Sequence, residues 1–131
     1  MKPRSRDNLS ALFTSSFTLA VTVLLGQSLQ AASATWNGTT DALWAMTTNW
    51  SASPVPGVGD TATFNNAGNG NVGITVGTIS LSNITFDTAA AAAYTLGSGT
   101  ITFANGNTTA VTMNSTVAAN QIINTNLTLG T

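Results

Sequence analysis

The 131-residue chain has no cysteine, no histidine and no glutamate, and its only cations are Lys2, Arg4 and Arg6. Without cysteine there is no disulfide framework, so any stability comes from packing and backbone pairing. Without histidine or cysteine there is no zinc site and no Ser-His-Asp triad. Past residue 6 there is no cation to displace counterions from phosphates, which argues against nucleic acid as a partner and against anionic membrane surfaces. No glycine-rich loop followed by lysine is present to cradle a nucleotide.

Acids are nearly as scarce. Beyond the first segment they reduce to Asp41, Asp60 and Asp87. Glycoside hydrolysis ordinarily needs two carboxylates across the scissile bond, and these three lie far apart in sequence, each beside turn-forming residues. Asp60 follows Gly59 and precedes an alternating run, a position from which a carboxylate closes a turn. A polysaccharide lyase would further need a basic proton acceptor, which this part of the chain lacks. Calcium takes Asp, Asn and carbonyl oxygens and is harder to dismiss on composition, but the Asn/Gly cluster 65–71 has no alternating Asp. The expectation is a non-enzyme with no cofactor and no metal.

What is present begins with an address. The basic start is followed by the apolar run Phe17 to Leu25, a helix-breaking Gly26 and the small-residue site Ala32-Ser33-Ala34. This is the layout of a secretory signal peptide, and the apolar stretch is too short to span a bilayer of about 30 Å. Cleavage is expected between Ala34 and Thr35, with Leu29-Gln30-Ala31 as a less regular second site. The segments are then 1–34 as signal peptide, 35–71 as a tryptophan-rich capping segment and 72–131 as a repetitive strand region. About a hundred residues remain after the leader, enough for one small domain.

The tryptophans Trp36, Trp44 and Trp50 all precede the cluster at 65–71, and the region after it alternates apolar residues with Thr or Ser. Those runs are Val72 to Val76, Thr78 to Phe86, Tyr94 to Leu96, Thr100 to Phe103, Ala110 to Met113 and Ile122 to Leu129. A period of two marks strands with one buried face, and Thr suits the outer face of a pleated strand. Gly97-Ser98-Gly99, 104–107 and 114–116 read as turns, and Ala89 to Ala93 as a connection too short to nucleate a helix. Ile84-Thr85-Phe86 recurs as Ile101-Thr102-Phe103, with looser echoes at Val111-Thr112-Met113 and Leu127-Thr128-Leu129. Short strands recurring without long crossovers favour an all-β parallel β-helix or solenoid, in which stacked asparagines could bond along a ladder. The competing architecture is an antiparallel sandwich, for which Asn105-Gly106 offers one hairpin turn.

The order Trp36-Asn37-Gly38, Leu43-Trp44, Asn49-Trp50, Pro54-Val55-Pro56, Gly59-Asp60 and Thr61-Ala62-Thr63-Phe64 resembles the N-terminal motif of bacterial surface proteins with autotransporter-associated β-strand repeats. Ile84-Thr85-Phe86-Asp87, Tyr94-Thr95-Leu96 and Ile101-Thr102-Phe103 look like that family's first repeats. The resemblance implies a right-handed β-helical passenger, export, a cell-surface or extracellular location, and an outer-membrane barrel or C-terminal anchor downstream. This chain carries neither amphipathic barrel strands nor a second apolar anchor, and it stops at Thr131 within a run that reads as strand.

The first coil of a solenoid exposes unpaired backbone groups. Trp36, Trp44 and Trp50 are expected to fold over it as a cap, each burying roughly 150–250 Å² of ring. The expected role is structural or adhesive, in an exported surface protein whose partners would be further repeats or a host surface. The alternative is a secreted module whose tryptophans stack on polysaccharide.

Overall fold

A computed structural model describes residues 32–104 and 110–130. The leader and the Asn105-Gly106 hairpin fall outside the described residues, so only the end of the proposed cleavage region can be placed.

The described residues are all-β, with two 3-10 turns at Thr47–Asn49 and Gly68–Gly70. In chain order the strands are β1 Ala34–Thr35, β2 Thr61–Phe64, β3 Gly73–Leu81 and β4 Asn83–Phe86. Then come β5 Thr95–Phe103, β6 Val111–Met113, β7 Ile122–Ile123 and β8 Asn126–Leu129. They form two parallel sheets, one ordered β1-β2-β4-β6 and the other β3-β5-β7, with β8 also on β5. Among the described residues every strand pair is parallel, and a single isolated antiparallel bridge joins Trp36 and Trp50. The hairpin-built sandwich is thus not what the described strands make.

Alternation sets the inward face. In β2 and β4 the inward residues are Ala62, Phe64, Ile84 and Phe86, all buried, while the threonines between them point outward. Register stacks like on like: Phe64 pairs with Phe86, Thr63 with Thr85, and Ile79 with Ile101. The inward residues of both sheets join one core. Because the strands from β2 to β7 alternate between the sheets, the chain passes repeatedly from one to the other. The outward passage keeps its length: Phe64 to Gly73, Phe86 to Thr95 and Met113 to Ile122 occupy equivalent positions and are each nine residues apart. The return does not, since Leu81 to Ile84 is three residues and the equivalent Phe103 to Val111 is eight.

Four expected boundaries move. The runs Val72 to Val76 and Thr78 onward join across Gly77 into the one strand β3. The run Thr78 to Phe86 is two strands in different sheets, broken at Ser82. Its buried Leu81 and Ile84 are three apart, which breaks the period of two and turns the chain, and the amides of Ser82 and Asn83 both donate to the Asp60 carbonyl. Gly97-Ser98-Gly99 is a bend within continuous β5, rather than a turn between strands. There Gly99 (φ 148°) sits on Gly77 (φ 73°) so closely that a Cβ would lie 1.9 Å from the Gly77 carbonyl oxygen. Finally, Ile122 to Leu129 divides into β7 and β8, both registered on β5 on either side of that bend. The alanines at 89–93 do connect strands, with Ala91 buried and the Ala92 amide donating to the Asn66 carbonyl at 3.0 Å.

Candidate functional site

The residues singled out by sequence converge on one end of the two sheets. Trp36 follows β1, and the chain then runs out and back so that Trp50 bridges to it antiparallel, with the Ser51 amide donating to the Thr35 carbonyl at 2.9 Å. On the second sheet Leu43 bridges to Thr75. The Trp44 amide donates to the Thr75 carbonyl at 3.0 Å, and the Thr75 amide to that of Ala42 at 2.9 Å. One excursion, 42–51, therefore pairs with the outer edges of both β1 and β3. The backbone groups of Thr35 and Thr75 that would help to template another strand are thereby bonded.

Its apolar filling is aromatic. Trp36, Trp44 and Trp50 have 0%, 1% and 5% of their surface exposed. Trp50 lies edge-on to both others, with centroids 5.1 Å from Trp36 and 4.6 Å from Trp44. Phe64 touches all three, stacks on Phe86 at 5.4 Å and meets Tyr94 at 5.0 Å. Edge-to-face and offset pairs suit the ring quadrupoles and add about 0.5–1.5 kcal/mol each beyond area burial. A sugar-stacking platform needs an open ring face, and none of these three tryptophans presents one.

Asparagine amides hold the excursion in place. Asn49 is fully buried; its Oδ1 accepts from the amides of Thr40 (2.9 Å) and Asp41 (3.1 Å). Its Nδ2 donates to Asp41 Oδ1 (2.8 Å) and the Leu43 carbonyl (3.0 Å). Its own carbonyl accepts from the amides of Asn37 and Gly38. Asn66 Nδ2 donates to the Trp36 carbonyl at 3.0 Å, Asn71 Nδ2 to that of Gly38 at 2.6 Å, and Trp36 Nε1 to that of Asn71 at 3.0 Å. The expected ladder of asparagine on asparagine is replaced here by amides that satisfy the backbone of neighbouring segments, as buried peptide groups require. Gly38 (φ +56°) explains the Trp-x-Gly spacing, since a Cβ there would lie 2.2 Å from the Gly68 carbonyl oxygen.

Tyr94 is the residue the sequence did not mark. It is buried against Phe64 and Gly68, its hydroxyl donates to the Asn66 carbonyl, and burial pushes its pKa up to about 12. A lone tyrosine in an alternating run carries no signal distinguishing it from any other core residue.

The three carboxylates stay apart in role. Asp41 Oδ1 accepts from the Leu43 amide and Asn49, Asp60 Oδ2 from the Gly57 amide at 2.8 Å, and Asp87 Oδ1 from Thr88 and Asn114. Each closes a turn or joins two of them, and among the described residues no three His, Cys, Asp or Glu come together as a metal site. No described helix is long and apolar enough to cross a membrane. The chain matches no family model, no curated protein and no solved structure.

Proposed function

We propose that the two sheets are walls of a right-handed β-solenoid and that residues 35–71 are its N-terminal cap. The chain then serves as a non-catalytic structural or adhesive element of an exported surface protein, of the kind with autotransporter-associated β-strand repeats. The observation that carries this reading is the excursion 42–51, whose tryptophans are buried while it pairs with the outer edges of both sheets. Parallel strands linked through a second sheet support the solenoid, and the strong handedness of parallel crossovers supports the right-handed form. Partners under this reading are further repeats, a barrel or an anchor, and at the surface a host or polysaccharide.

The leader would direct export. Ala34 is buried and paired with Ala62, so cleavage after Ala34 would remove half of β1, and cleavage after Ala31 would spare it. Sequencing the N-terminus of the exported product distinguishes the two.

The test of function is made on intact cells expressing the gene. Surface protease should remove the chain from the exterior while cytoplasmic markers survive, and purified material should show blue-shifted tryptophan emission that polysaccharides leave unchanged. Retention in the cytoplasm would overturn the surface role. Emission quenched by a polysaccharide would replace the cap with a sugar-binding platform.

A further inference from the structure

Asparagine is followed by glycine at 37–38, 69–70 and 105–106. Glycine has no side chain to shield its amide nitrogen, so that nitrogen can reach the Cγ of the preceding asparagine and close a succinimide ring. The pair at 105–106 lies outside the described residues; the other two stand in opposite surroundings. Gly38 is buried, and a Cβ there would lie 2.2 Å from the Gly68 carbonyl oxygen. The amides of Asn37 and Gly38 both donate to the Asn49 carbonyl, at 2.6 and 3.1 Å. Freeing the Gly38 nitrogen therefore means parting it from Asn49, the residue that fastens the cap.

Asn69 and Gly70 are both exposed. Asn69 takes a left-handed conformation (φ 49°, ψ 30°), which asparagine adopts more readily than most residues, and its side chain has no hydrogen bond among the described residues. A Cβ on Gly70 would meet nothing within 4 Å. The Gly70 amide makes one bond, to the Ala67 carbonyl of the same turn at 3.2 Å. A local opening of that turn frees it, and such openings cost far less than those that breach a packed core.

We infer that Asn69 is a site of spontaneous deamidation and backbone rearrangement, and that the fold spares Asn37. The Gly70 nitrogen bonds to Cγ of Asn69 and gives up its proton, and the side-chain nitrogen leaves as ammonia. Water then opens the succinimide at either carbonyl. One opening gives aspartate; the other gives isoaspartate, in which the main chain runs through Cγ and is longer by a carbon. Both place a negative charge in a stretch, 61–86, that has no charged residue. Isoaspartate also acts on the cap. The Asn71 carbonyl accepts from Trp36 Nε1, and Asn71 Nδ2 donates to the Gly38 carbonyl, so a longer chain at 69–70 pulls on both bonds. The inference rests on the two glycine environments and stands or falls separately from the surface role.

The experiment holds the purified chain in mildly alkaline buffer, with and without denaturing urea. At intervals, chymotryptic digestion and mass spectrometry read the amide-to-acid mass gain at each asparagine. Trp44, Trp50 and Phe64 lie between the two sites, so positions 37 and 69 fall in separate peptides, and a protein-isoaspartate methyltransferase labels the rearranged product in each. The urea samples give each site its intrinsic rate. In the folded chain Asn69 should keep most of that rate and Asn37 should lose nearly all of it. Asn37 keeping as large a share as Asn69 would overturn the inference, and so would an Asn69 as fully protected as Asn37.

Discussion

Removing the side-chain amide of Asn49 tests whether the cap is held by polar contacts as well as by aromatic packing. Asn49→Ala deletes four hydrogen bonds, to the amides of Thr40 and Asp41, the Asp41 carboxylate and the Leu43 carbonyl. At about 0.5–1.5 kcal/mol net for each, the sum runs from about 2 to 6 kcal/mol. Thr40 and Leu43 are exposed residues, so water replaces part of what is lost and about 3 kcal/mol is the expected destabilisation. With a urea slope of about 2 kcal/mol/M, the midpoint followed by tryptophan emission falls by about 1.5 M. Asn49→Asp sharpens the case. It keeps the acceptor but turns the 2.8 Å bond to Asp41 into two facing carboxylates, which raises the pKa of the pair when folded. With folded pKa above unfolded pKa, stability is present at low pH and is lost as pH rises through the raised value. Asn49→Asp should therefore be weak at pH 7 and regain stability on acidification relative to Asn49→Ala. An Asn49→Ala midpoint within about 0.5 kcal/mol of the parent would refute the reasoning, because a buried group with unreplaced partners costs more than that.

Two further outcomes follow from the same packing. Tyr94 is the only tyrosine, and burial raises its pKa from 10.0 to about 12, so the stability it confers is intact below pH 10 and drains between pH 10 and 12. An alkaline titration of the tyrosinate absorbance should show a midpoint well above 10 while tryptophan emission stays native; a midpoint near 10 in the folded protein would contradict the burial. Gly99→Ala should cost more than about 3 kcal/mol or yield no folded product, because its Cβ would lie 1.9 Å from the Gly77 carbonyl oxygen at a positive φ. Gly73→Ala, with nothing within 4 Å and an ordinary φ, should stay within about 1 kcal/mol of the parent by thermal melting.

The strand positions were legible because alternation survives translation into a pleated sheet: the inward residues of Thr61–Phe64 and Asn83–Phe86 are those the period of two selects. The tryptophans were legible as a group because all three precede residue 51. The corner at Ser82 was hidden inside a run whose composition never changes; only the three-residue step from Leu81 to Ile84 betrays it. Gly97-Ser98-Gly99 misled because the residues that permit a chain reversal also permit two stacked strands to bend together, and which occurs depends on Gly77 in the neighbouring strand. Asn49 and Asn66 lay within motifs, but their roles depend on segments up to 30 residues away, beyond the reach of local pattern.

The unequal passages between the sheets have a last consequence, for how such a chain can vary over generations. The outward passage is fixed at nine residues because each copy is fastened to the next: Thr88 Oγ1 to the Asn65 carbonyl, Asn114 Nδ2 to Asp87, and Gln121 Nε2 to the Ala92 carbonyl. An inserted residue there would slide every later fastening out of step. The return passage already differs by five residues between successive layers without shifting the register of any strand that follows it. Insertions are therefore expected to be tolerated along the return flank and disruptive along the outward one, and lengthening the segment after Phe103 by a few residues should leave the sheets and their register as they are.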